Sequence, residues 1–158
     1  HYPLRRQRQM CIRDRYPPDV FRGTLVRLLD VFERLGVRCH LTGGVVSVAY
    51  GEPRMTQDID LVVDNAALAR CLPAFLEAVA AAGFMRDEES ARAAVAARGM
   101  FQLFDEAEAL KVDIYPRELI PGELDRSVLL EVFEGVRIPC VSRADAAASK
   151  LVLSLIHI

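Results

Sequence analysis

An α/β fold (α+β by some conventions) is what the sequence predicts, with a mixed sheet of four or five strands and helices mainly on one face. Three observations carry this. Segments with helical spacing of apolar residues follow short β-rich runs along the chain, the strand candidates alternate apolar and polar positions, and Gly or Pro stands at most junctions. At 158 residues, 52% hydrophobic and 27% charged, the chain has the make-up of one soluble domain large enough for its own core.

Each element follows in order. Pro17-Pro18-Asp19 provides a stop and an N-cap. From Val20, the apolar positions Phe21, Leu25, Leu28, Leu29, Phe32 and Leu35 have helical spacing, and Gly36 ends the run. Val37 to Leu41 reads as a strand, followed by Thr42-Gly43-Gly44 as a turn into a short helix over 45–50. Gly51-Glu52-Pro53 stops that helix, and a second strand opens at Asp58-Ile59-Asp60. Asp64-Asn65 caps a helix over 66–82 whose stripe is Leu68, Leu72, Phe75, Leu76 and Val79, with Pro73 predicting a kink near 70–72. Gly83 closes it and Phe84 starts a short strand. Residues 87–98 form a further helix, ending at Gly99, whose weak apolar face suits a cover near the site. Strands over 100–104 and 110–115 flank the acidic turn at 105–108. Residues 116–134 are expected as a connection plus an amphipathic helix from about Glu123. A last strand over 135–141 is placed at the sheet edge by Pro139. Ser142 and Asp145 then open a helix that carries Lys150.

The two ends are set apart. The chain starts at His1, residues 4–15 are basic and unpatterned, and M-C-I-R-D-R and the final L-S-L-I-H-I resemble translated adapter remnants. Residues 1–15 and 154–158 are therefore expected to be non-native, leaving 16–153 as the domain; a genuine basic arm is the alternative for 1–15. Outside 1–15 the chain holds 15 basic and 21 acidic residues, a net charge of −6 against −2 for the whole. That balance does not suit a generic nucleic-acid binder. Cys11, Cys39, Cys71 and Cys140 are scattered without paired spacing, which argues against structural zinc and a disulfide frame. No apolar run is long enough for a membrane span, and the cytoplasm is the default location.

The chemistry concentrates between Cys39 and Asp64. Strand alternation sends Asp58 and Asp60 to one face and Ile59, Leu61 and Val63 to the other. Two adjacent carboxylates repel unless a hard cation joins them. Gly43-Gly44, an ordinary turn on its own, becomes a phosphate cradle beside such a pair. Thr42 and Ser47 flank it, and Thr56 lies on the same alternation face as Asp58 and Asp60. Arg54 is either a phosphate contact or a solvated loop arginine. In K-V-D-I-Y, Lys111, Asp113 and Tyr115 share a face, and an acid in an otherwise buried-looking strand needs a metal or an ion pair. His40, a lone histidine beside the glycine motif, is left as structural and outside the site.

Gly-Gly, a helix-sized gap, T-x-D-I-D and a later V-D-I resemble the signature of the DNA polymerase beta-like nucleotidyltransferase superfamily. The form Y-G-x-P-R-x-T-x-D-I-D is most similar to the small nucleotidyltransferases of abortive-infection and toxin–antitoxin systems and to minimal nucleotidyltransferases, over roughly residues 20–153. The resemblance implies a nucleotidyltransferase fold and transfer of an NMP from an NTP to an acceptor hydroxyl, with release of pyrophosphate. The acceptor would be a tRNA end, a partner protein or a small molecule. It assigns Asp58, Asp60 and Asp113 as catalytic carboxylates holding one or two Mg²⁺ ions, with Mn²⁺ as a substitute. Thr42, Gly43, Gly44, Ser47, Arg54, Thr56 and Lys150 would bind the nucleotide. A cognate toxin or antitoxin is the implied protein partner, and tRNA is not indicated by the charge. Related toxin-type enzymes continue with a further basic and acidic motif, so the domain is expected to be truncated at its C-terminus. The alternative from another class is a catalytically silent binding module, such as an antitoxin.

Overall fold

The computed structural model describes residues 18–52 and 56–156, with side chains from Phe21 onward. Cys11, Arg54 and the segment 1–15 lie outside the described residues. Among the described residues there are five helices and seven strands: α1 (Pro18–Arg34), β1 (Cys39–Thr42), α2 (Gly43–Ala49), β2 (Asp58–Val63), α3 (Asn65–Ala81), β3 (Phe84–Arg86), α4 (Glu88–Ala97), β4 (Phe101–Asp105), β5 (Leu110–Tyr115), β6 (Val128–Phe133), β7 (Val136–Cys140) and α5 (Arg143–Ile156).

The strands form one mixed sheet in the order β3-β4-β5-β2-β1-β7-β6. The expected α/β class holds, but the sheet has seven strands rather than four or five. β2 lies near its middle, parallel to β5 and antiparallel to β1. The core face of β2 presents Ile59, Leu61 and Val63 to a cluster that includes Leu25, Leu28 and Phe32 of α1 and Leu68, Phe75 and Leu76 of α3. Phe75 is its hub, stacked on Phe32 at 5.2 Å and edge-on to Phe101 at 6.3 Å. A polar staple crosses this core. The Asp105 carboxylate, fully buried, accepts from the Thr24 hydroxyl at 2.5 Å and pairs with Arg27, whose Nη1 donates to the Ala82 carbonyl at 2.8 Å.

Local chemistry sets the element ends. Asp64 Oδ1 accepts from the Ala67 N–H at 3.1 Å and caps α3. Pro73 leaves Cys71 with a non-helical φ of −121°, inside the predicted kink. Ser142 Oγ accepts from the Asp145 N–H at 3.1 Å at the start of α5, as its sequence suggested. α4 packs Ala91, Ala94 and Val95 into the core, against α3 and β4. None of its residues lines the cavity described below, so it is a core helix rather than a site cover.

Two expectations for 116–141 are corrected. The helix from Glu123 is absent; a run of turns leads instead into β6. Glu134-Gly135, with Gly135 at φ +74°, separates two β-rich runs, and β6 and β7 pair across it as an antiparallel hairpin. Cross-strand partners outweigh the helical spacing. β7 is also not the edge strand, because it lies between β1 and β6. Pro139 is accommodated because β1 meets β7 at Leu41 and Cys140, beyond the residue that lacks an N–H. α5 continues to Ile156, into the segment set apart at 154–158. None of the described helices is long and apolar enough to cross a membrane.

Candidate active site

β1 and β2 bring the two halves of the Cys39–Asp64 stretch together. Thr42 at the end of β1 is the register partner of Asp60 on β2, which places the glycine turn directly beside that carboxylate. The fit is tight. Gly43 has φ +68°, and a Cβ there would lie 2.0 Å from Asp60 Oδ2. A Cβ on Gly44 would lie 2.4 Å from Thr56 Oγ1. The glycine pair thus lets the backbone close on both polar side chains. Thr56 Oγ1 donates to the Asp58 carbonyl at 3.1 Å and holds the entry to β2.

On the other side of β2, Asp60 is the register partner of Asp113 on parallel β5. In-register side chains on neighbouring strands share a face at a strand spacing of about 4.8 Å. Both carboxylates accept from neutral donors: Gln102 Nε2 to Asp113 Oδ1 at 2.9 Å, and the Tyr115 hydroxyl to Asp60 Oδ1 at 3.4 Å. Tyr115 senses all three acids. Its hydroxyl is pushed up to about 12, first by burial and then by Asp60, Asp113 and Asp58, so it stays a donor at neutral pH. Asp58 is exposed at the start of β2, opposite Lys111 in register, and its Oδ1 accepts from the Gln57 N–H at 3.3 Å.

Among the described residues, no group of three or more Asp, Glu, His or Cys side chains forms a ready metal cage. The donor set still fits Mg²⁺, which takes one or two carboxylates and completes its octahedron with substrate phosphate and water. Asp60 and Asp113 meet that description.

A cavity of about 290 Å³ opens beside Asp60. Thr42, Gly43, Gly44, Ser47, Asp60 and Lys150, all expected in a nucleotide site, line it together. Asp58, Thr56 and Asp113 stand outside its lining. Because Asp60 and Val62 project away from the core face of β2, the α5 residues Ala146, Ser149, Lys150 and Leu153 close the cavity from the other side of the sheet. Lys150 Nζ pairs with Glu52, which follows α2.

Tyr115, Arg117 and Glu123 also line the cavity and were not among the expected site residues. Tyr115 was within reach of sequence reasoning, since it shares the alternation face of Asp113. Arg117 and Glu123 had no such signal, being in a segment expected as connection and helix. Glu123 is buried, which raises its pKa, and its Oε1 accepts from the Leu119 N–H at 2.7 Å. Its Oε2 lies 3.8 Å from Nε2 of the fully buried His40, whose Nδ1 meets Ser127 Oγ at 2.7 Å. Burial drives His40 down to about 4. A neutral histidine that ties β1 to the 116–127 turns is a structural group, and it is not in the cavity lining.

The family model described as "Nucleotidyl transferase AbiEii toxin, Type IV TA system" matches residues 27–156. No curated protein matches the chain. Among solved structures, a candidate nucleotidyltransferase (TM1012) from Thermotoga maritima aligns with a TM-score of 0.62 at 18% identity, covering 90% of this chain and 89% of that one. That likeness is one of fold. The lincosamide antibiotic adenylyltransferase LnuA, solved with lincomycin bound, aligns at a TM-score of 0.47 and 23% identity over 78% of this chain and 82% of its own. At that score it adds no weight.

Proposed function

The chain belongs to the AbiEii nucleotidyltransferase toxin family of type IV toxin–antitoxin systems, and from that premise we propose that it moves an NMP from an NTP to an acceptor hydroxyl at the cavity beside Asp60. The observation that carries the reading is the register of Asp60 with Asp113 on one face, next to a cavity that also holds the glycine turn and Lys150. Phosphoryl chemistry asks a protein mainly for positioning and charge, and these residue types supply both.

Mg²⁺ or Mn²⁺ held by Asp60 and Asp113, with Asp58 as the third carboxylate, would supply charge neutralisation on the triphosphate and a lower pKa for the acceptor hydroxyl. The side chains do the rest. Thr42, Ser47 and the backbone of Gly43 and Gly44 hold the phosphates, and Lys150 exchanges Glu52 for them. The acceptor oxygen forms a bond to the α-phosphorus while the bond to the bridging oxygen breaks, and pyrophosphate leaves with that electron pair. The hydroxyl proton passes to Asp113, whose carboxylate Gln102 holds in place. Thr56 acts by fixing the start of β2, and Arg54, which the sequence motif offers as a phosphate contact, belongs to the proposal on that ground alone.

A tRNA end, a protein side chain and a small molecule are the acceptor classes, and the net charge of −6 outside residues 1–15 weighs against a large RNA surface. The family description, a toxin of a type IV TA system, supports a cognate antitoxin as its counterpart. Calorimetric titration of the four ribonucleoside triphosphates with Mg²⁺, on wild type and on Asp60→Asn and Asp113→Asn, tests the site. Metal-dependent binding that both substitutions abolish is the expected result. Equal binding by wild type and variants would remove the carboxylate pair from the mechanism. Labelled transfer from the tightest-binding nucleotide to each acceptor class then identifies the acceptor.

A further inference from the structure

Lys150 was expected to meet the nucleotide's phosphates, yet its charge is already answered by Glu52. Arg117, in the same cavity lining, is placed differently. It stands just past the end of β5, continuing the Asp113, Tyr115 side beyond the buried Pro116, and its side chain is exposed. Among the described residues it makes no ion pair or hydrogen bond, whereas Lys150, the other cation of the cavity lining, is paired with Glu52. Glu123, a buried acid of the same lining, is engaged elsewhere, accepting from the backbone N–H of Leu119.

We propose that Arg117 is a polyphosphate-binding residue, the cation that meets an incoming nucleotide before Lys150 has left Glu52. The inference rests on the nucleotidyl-transfer reading and adds a ligand to the same site. A planar guanidinium suits phosphate oxygens through paired N–H donors, and one without an existing partner gives up no ion pair on binding. Asp60 stands in the same lining as Arg117 and Lys150, so a phosphate chain along the carboxylate can reach both cations.

The test uses the full chain with Mg²⁺ and two probes, inorganic tripolyphosphate and the tightest-binding NTP. Arg117→Gln weakens both by a similar factor, roughly tenfold, the order of one charge-assisted contact. Arg117→Lys restores part of that loss, and the melting temperature stays put because the side chain is exposed. The salt dependence of binding also becomes shallower in Arg117→Gln. Wild-type affinity for both probes in Arg117→Gln would overturn the assignment while leaving the nucleotide site standing. Loss of NTP binding with tripolyphosphate unaffected would overturn it as well, moving Arg117 to the sugar or base. A wild-type chain that binds neither probe would end both readings at once.

Discussion

Gly43→Ala separates backbone strain from crowding of the carboxylate. A Cβ at Gly43 would lie 2.0 Å from Asp60 Oδ2 and 2.7 Å from its Cγ, where about 3.0 Å is the least that real Cβ atoms tolerate. The carboxylate must therefore retreat by about 1 Å, and a displacement of that size in a positioned catalytic group costs about 10²-fold in rate. Alanine at φ +68° also brings about 1–2 kcal/mol of left-handed strain. Gly36 supplies the control: its φ is +65°, and a Cβ there meets nothing within 4 Å. Gly36→Ala should lose about 1–2 kcal/mol in urea unfolding and keep its turnover. Gly43→Ala should lose at least as much stability and about 10²-fold in pyrophosphate release. Full turnover in Gly43→Ala would refute the tight approach of the glycine turn to Asp60. An equal loss of turnover in Gly36→Ala would show that general destabilisation, not the clash, sets the rate.

Three further outcomes follow from contacts elsewhere. Glu52→Gln frees Lys150; since both partners are largely exposed, stability should shift by no more than about 0.5 kcal/mol, while calorimetry should show NTP binding tightened about two- to threefold. Arg27→Met leaves the buried Asp105 carboxylate without its cation and should cost about 3 kcal/mol in urea unfolding, with NTP binding retained under native conditions. His40 gives a pH signature. Its folded pKa lies near 4 against 6.5 for the free side chain, so below pH 6.5 the unfolded chain takes up a proton that the folded chain refuses. Stability should fall by about 3 kcal/mol as pH drops from 6.5 to 4 and then level off. Glu123, raised by burial, contributes with the opposite sign, so unfolding curves of wild type and His40→Gln across this range isolate the histidine.

The site was legible where local chemistry dictates position. Alternation placed Asp58 and Asp60 on one face, Gly43-Gly44 marked a turn into a short helix, and Asp113 fell on a short strand with apolar neighbours. What the sequence could not express is which strands become neighbours, and register decides the outcome. Asp60 faces Asp113, whereas Asp58 faces Lys111. The 116–134 segment misled for a related reason. Leu129, Leu130 and Phe133 have helical spacing, but the hairpin partner Val136–Cys140 and the Glu134-Gly135 turn settle it as a strand. Arg117 and Glu123 reach the cavity only through that turn-rich path, which has no periodicity to read.

The junction between β1 and β7 has a dynamic consequence. Along the sheet, β2 is laddered to β5 from Asp58 to Val62, whereas β1 and β7 meet at Leu41 and Cys140, with the Val141 N–H donating to the Leu41 carbonyl. Side chains reinforce the junction: the Tyr50 hydroxyl donates to the Val141 carbonyl at 2.8 Å, and His40 meets Ser127. Few ladder bonds cross this junction, so the β6–β7 hairpin, with α5 following it in the chain, is the part expected to open below the global unfolding energy once the Lys150–Glu52 and Arg143–Tyr50 contacts are released. Asp60 lies on one side of this seam and Lys150 on the other. A nucleotide gripped by both would suture the two units, and amide exchange in β6 and β7 would slow on binding more than exchange in β2 and β5, with no change in the resting fold.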